Sequence, residues 1–129
     1  MANRYHRKEV LEELYNKAKT VCENVFVTTR PTATAQMKSF IVVRLPQGFR
    51  PTADTHNLVT IQFLCYVRDK QDGVEDVKTE ETLVDGILNL FPYRSQLLHC
   101  GNTPLILEAK SDGMGFHSTI IQLKAVVVV

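Results

Sequence analysis

The sequence has 129 residues, a length that suits one domain able to bury roughly two-thirds of the surface its unfolded chain exposes. Hydrophobic residues at 44% and charged residues at 22% exclude a disordered or fibrous design and indicate a soluble globular class. Fifteen basic against fourteen acidic residues leave a net charge of +1, which gives no global attraction to nucleic acid or to an anionic membrane.

Val10, Leu11, Leu14, Ala18, Val21 and Cys22 recur at three- and four-residue steps, with charged residues between them. The spacing predicts an amphipathic helix over about Tyr5–Glu23, stopped by Asn24. Val25–Thr29 then reads as a short β-branched strand ahead of Pro31, and Thr32–Ser39 as a polar loop. The apolar run Phe40–Leu45, closed by Pro46, reads as a strand whose far end cannot continue a ladder. Gln47–Asn57 carries Gly48, Pro51 and several turn-formers, so a long functional or mobile loop is expected there, with Phe49, Arg50 and His56 as candidates to meet a partner.

From Leu58 to Arg68 the side chains alternate. Val59, Ile61, Phe63, Cys65 and Val67 lie on one face and Thr60, Gln62 and Arg68 on the other, the pattern of a half-buried strand. Asp69–Gly73 supplies a turn. A second helix is predicted over about Val74–Phe91, with Glu75, Asp76, Glu80 and Glu81 near its positive end, Val84, Ile87, Leu88 and Phe91 as its apolar stripe and Pro92 as its stop. Gly86 within it marks either close packing against the sheet or a tolerated weakness, and we expect the second. Leu105–Lys110 and His117–Val129 flank Ser-Asp-Gly-Met-Gly, the turn chemistry of an antiparallel hairpin. The expected fold is α+β in the order α-β-β-β-α-β-β: one domain over 1–129, with a mostly antiparallel sheet and two helices packed on it.

Cys22, Cys65 and Cys100 are odd in number and lack a CxxC pair, so buried free thiols in a reducing compartment are expected. No uninterrupted apolar core of signal-peptide length opens the sequence and no run reaches the ~18 apolar residues of a membrane helix, which predicts a cytoplasmic protein with no membrane partner. His6, His56, His99 and His117 show no metal-ligand spacing, and adjacent His99 and Cys100 cannot easily face one centre, so no metal, cofactor or catalytic residue is assigned. Gly113-Met114-Gly115 precedes a strand rather than a helix and is a hairpin turn, not a phosphate loop. Arg4, His6, Arg7 and Lys8 make a basic start that reads as a solvated helix end rather than a specific nucleic-acid site.

Ala125–Val129 makes both faces of the last strand apolar. Either two layers cover it or one face meets another subunit, and we expect Val126 and Val128 to join subunits.

FIVVRLP at 40–46, LVTIQFLCYVR at 58–68 and STIIQLKAVVVV at 118–129 resemble the central and closing strands of the tail terminator, or tail-completion, proteins of long-tailed phages and prophages. The order of helices and strands extends the resemblance over almost the whole chain. It implies a non-enzymatic structural protein that forms a homo-oligomeric ring, usually a hexamer, caps the tail tube and joins it to the head connector. It further implies assembly in the cytoplasm and a place in the virion, with 47–57 near the ring lumen or a partner and the terminal valines in subunit packing. The alternatives are a small ligand-binding or enzymatic domain, with His99, Cys100 and His117 as its reactive groups, and a module that dimerises through its last strand.

Overall fold

The computed structural model describes residues 6–32, 35–46, 49–53, 56–101 and 103–128, with backbone alone for 49–53, 72 and 108. Helix α1 (Arg7–Ala18) buries Val10, Leu11, Leu14 and Ala18 along one stripe. It is shorter than Tyr5–Glu23: Tyr5 lies outside the described residues, and after Ala18 the chain tightens into turns in which Thr20 Oγ1 donates to the Lys17 carbonyl at 2.6 Å. A hydroxyl that captures a helix carbonyl competes with continuation of the helix.

Strands β1 (Val25–Val27) and β2 (Ser39–Arg44) pair in parallel, so the segment joining them must cross back over the sheet. Strand β3 (Phe49–Ala53) forms a hairpin with the start of β4 (His56–Arg68). The long loop expected over Gln47–Asn57 is thus mostly strand. Pro51 is accommodated because β3 pairs on one side only, and the register shifts between Pro51 and Ala53. Residues 47–48 and 54–55 of that loop lie outside the described residues.

A 3₁₀ turn at Gln71–Gly73 leads to α2 (Val77–Leu88). The helix begins later than Val74 because Asp76 caps it, its Oδ1 accepting from the Thr79 amide at 3.2 Å and its Oδ2 from the Thr79 hydroxyl at 2.8 Å. Strands β5 (Tyr93–Arg94), β6 (Leu98–Cys100), β7 (Leu105–Ser111) and β8 (Phe116–Val128) complete the chain. His99 and Cys100, which fell in none of the predicted strands, belong to β6 because they pair with Val126 and Ala125 of β8.

The eight strands form one mostly antiparallel sheet in the order β1-β2-β4-β8-β6-β5, with β3 also on β4 and β7 also on β8. Its axis is the β4–β8 pair, in register without a break from His56 opposite Val128 to Arg68 opposite Phe116. The fold is α+β.

The helices cover one face, where Ile41, Val43, Val59, Ile61, Phe63, Cys65, Ile121, Leu123 and Val127 join the buried stripes of α1 and α2. Each such aliphatic or aromatic side chain removed from water stabilises the fold by ~1.5–3 kcal/mol. The half-buried reading of β4 holds for this face alone. On the other face Phe40, Val42, Leu64 and Phe116 form a second apolar cluster with Phe26, Met37, Tyr66 and Ile120 around it, and Thr60 and Gln62 are buried as well. Gly86 is also corrected: a Cβ there would stand 2.5 Å from Val21 Cγ1, so it marks close packing of α2 on the turn after α1.

Candidate assembly surface

Strand pairing gathers the residues that the sequence singled out. Arg50, Leu58, Val126 and His99 hold one transverse row across β3, β4, β8 and β6, while Ala53, His56 and Val128 hold the next but one across three strands. Phe49 sits one position before Arg50, opposite Val59. These candidates therefore meet at one end of the sheet, although they lie up to 79 positions apart in sequence. The alternation of β8 puts Val126 and Val128 on the face away from the helices, half-buried, and the Val128 amide donates to the Leu97 carbonyl at 2.7 Å. Further along this face Arg44 Nε donates to Gln62 Oε1 and Gln62 Nε2 to Gln122 Oε1, both at 2.7 Å, a polar ladder across β2, β4 and β8.

Beside that ladder runs β7, which sequence patterning placed in a hairpin without marking its surface. Leu105 is 54% exposed, Ile106 47% and Leu107 38%, so three consecutive apolar residues stand out from a strand that, among the described residues, pairs with β8 alone. Leu105 and Leu107 lie opposite Gln122 and Ile120, hence on the same face as Val126 and Val128. An apolar, unpaired sheet edge is a template for another chain. The signal was present in the sequence as Leu-Ile-Leu, which breaks alternation.

The reactive residues do not converge. Cys100 is buried among core residues, where desolvation and then the charge of Glu13 push its thiol up to about 12. His99 points to the opposite face, as strand alternation requires. Cys65 is likewise pushed up to about 12 by burial and then by Cys22. His117 lies apart from both: its Nδ1 is 2.5 Å from Asp69 Oδ1, and this bond, against the pull of desolvation, raises its pKa. Glu80 faces the same region from the buried stripe of α2. Desolvation first, then the hydrogen bond and charge of Glu75, push it up to about 7, and its Oε2 has no partner among the described residues. Among the described residues no group of three or more His, Cys, Asp or Glu side chains is arranged to hold a metal ion, and no helix is long and apolar enough to cross a membrane.

A groove of about 580 Å³ runs between α1 and the edge strand β1, lined by Arg7, Lys8, Leu11, Glu12, Tyr15 and Val27. On the other face, the segment between β1 and β2 lays Arg30 over three rings. Its guanidinium carbon is 5.4 Å from the Phe40 centroid, 4.9 Å from that of Tyr66 and 5.4 Å from that of Phe116, and Nη1 pairs with Asp112 of the β7–β8 turn. Arg68, which donates to the Met37 carbonyl at 2.9 Å, lies 4.5 Å from the Phe116 centroid.

No family model matches the sequence, and no curated protein matches it. A solved structure of a chain that carries no functional description is similar over 94% of this chain and 92% of that one, with a TM-score of 0.64 at 13% sequence identity. That likeness shows the α+β fold alone.

Proposed function

We propose that the chain is a structural virion-assembly subunit of the tail-terminator kind, one that packs with copies of itself into a ring, caps a tail tube and meets a head connector. The observation that carries the reading is the exposed Leu105–Leu107 edge of β7, on a sheet whose other outer strands, β1, β3 and β5, also pair on one side only among the described residues. Two different edges joined head to tail generate a closed ring when the rotation closes, whereas a self-complementary patch stops at a dimer. The register of Arg50 and His56 with Val126 and Val128 at one end of the sheet supports a second contact there. The separation of His99 from Cys100 across β6, and the protonated state of the buried Cys100 thiol, weigh against the enzymatic alternative.

The test is mass in solution. Multi-angle light scattering is expected to give a multiple of the 14.6 kDa subunit, and Leu105→Lys with Leu107→Lys is expected to yield folded single subunits. A native protein that is monomeric at all concentrations would refute the ring.

A further inference from the structure

Two edges of the sheet end the same transverse rows. One row runs from Val27 through Val43, Phe63 and Ile121 to Ile106, and the next from Phe26 through Val42, Leu64 and Ile120 to Leu107. Strand β1 therefore closes on one side the section of sheet that β7 closes on the other, and among the described residues each pairs on its inner side alone. β1 is parallel to β2, and every later step of the row, β2 to β4, β4 to β8 and β8 to β7, is antiparallel, so β7 runs antiparallel to β1. A rotation about an axis along the strands keeps that relation. It brings β7 of one copy beside β1 of the next in the more stable of the two pairing modes.

The faces match as well. Val27 packs on the core beneath the helices, and Ile106, opposite Ile121, lies on that same face. α1 lies against β1 and β2 and α2 against β4 and β8, which leaves Ile106 at the far edge 47% exposed. At the β1 edge α1 instead borders the groove of about 580 Å³, whose apolar wall is Leu11, Tyr15 and Val27. A neighbouring β7 held in row would put Ile106 at the mouth of that groove. On the opposite face Leu107 would meet Phe26, which packs at the margin of the second apolar cluster. The remaining outer strands fit less well. β3 carries Pro51, which has no amide to donate, and its register shifts just after it. β5 has two residues, and α1 engages its Tyr93, whose hydroxyl donates to Glu13 at 2.5 Å and whose ring centroid lies 4.8 Å from Lys17 Nζ.

We propose that β7 of one copy adds to β1 of the next as an antiparallel strand, with Ile106 seated in the groove between α1 and β1 and Leu107 against Phe26. The occupant is a second copy because its Leu105–Leu107 segment matches a three-residue edge in length and faces, and the two edges stand in the same rows of every copy. A β7·β7 pair on a two-fold axis would cover the leucines, leave the groove unfilled and stop at a dimer. The inference rests on the ring reading and names the two surfaces that make the ring.

A disulfide between Val27 and Ile106 positions tests the contact. Within one chain they stand four strand spacings of ~4.8 Å apart, roughly 19 Å, whereas a disulfide needs Cα atoms within about 7 Å. Val27→Cys with Ile106→Cys, oxidised in the native state, can therefore bridge only between copies, and a ladder of covalent multiples of 14.6 kDa is expected on a denaturing gel. Each single variant, and the native protein with its three buried cysteines, should give no ladder. Light scattering separates the two claims: oligomers without a ladder overturn the β7·β1 contact and leave the ring standing, whereas monomers overturn both. Covalent dimers from either single variant assign that edge to a like-with-like pair, which also overturns the contact. Should Val27→Cys fail to fold, a benzophenone side chain in place of Ile106 alone decides. Photo-adducts on Leu11, Tyr15 or Val27 of another copy support the contact, and adducts confined to other residues, or none, overturn it.

Discussion

His117 at the start of β8 and Asp69, just past the end of β4, hold one another at 2.5 Å, close enough to Glu80 of α2 for both to act on its charge. Both titrating groups there shift in the same sense. Glu80, an acid whose folded pKa is raised to about 7 by desolvation and then by Glu75, contributes most when protonated, and that contribution fades as pH climbs from its unfolded value of ~4.3 to about 7. His117, raised chiefly by Asp69, contributes fully below its unfolded pKa of ~6.5 and loses this as pH rises through its folded value. Asp112 shifts downward, held by Arg30 and turn amides that outweigh burial, and so weakens the fold only in acid. The melting temperature should therefore be higher at pH 5.5 than at pH 8, and Glu80→Gln should flatten part of the difference. A melting temperature that rises between those two conditions would contradict the assignment.

Replacing Gly86 by alanine would normally strengthen a helix by ~1 kcal/mol. Here the new methyl meets Val21 Cγ1 at 2.5 Å, and overpacking of this kind costs ~1–3 kcal/mol. Gly86→Ala is expected to lower stability, and adding Val21→Ala is expected to recover part of the loss. Chemical denaturation of the two single variants and the double variant measures the coupling; additive effects would show that the contact carries no energy.

Val126→Lys together with Val128→Lys probes the terminal strand. The positions are half-buried on the face away from the helices, so folded protein by circular dichroism with a reduced mass is expected. Loss of the fold would assign both valines to the subunit core, and an unchanged oligomer would remove them from the interface.

Cys65 and Cys100, both pushed up to about 12 chiefly by burial, should resist iodoacetamide at pH 8 in the folded protein and react at once in denaturant. Rapid labelling of Cys100 in the native state would reopen the nucleophile reading.

The alternation of Val59, Ile61, Phe63, Cys65 and Val67 was legible because one period governs one buried face. Phe40, Leu64 and Phe116 were not legible as a second cluster, since a run such as Phe-Ile-Val-Val is apolar on both faces and names neither. Phe49–Ala53 hid behind Pro51, which reads as a loop residue until its one-sided pairing is known. β5 and β6, at two and three residues, are too short for any period to register. The pairing of Arg30 with Asp112 spans 82 positions, and no local pattern predicts it. Of the candidate surface, Val126 and Val128 could be named from the sequence, but their alignment with His56 and Arg50 is a property of the register.

The unbroken β4–β8 register also dictates when this molecule can come into being. β6 and β7 are joined to the rest of the sheet only through β8, and the partner of β8 is a strand that leaves the ribosome some sixty residues earlier. Until Phe116–Val128 emerges, a nascent chain can close α1, β1, β2, β3 and β4 but must carry β4 with one margin bare. Contacts so distant in sequence slow folding and prolong exposure of unpaired margins, so the interval before β8 arrives is when the chain is most open to chaperones and to mispairing with its neighbours on the same message.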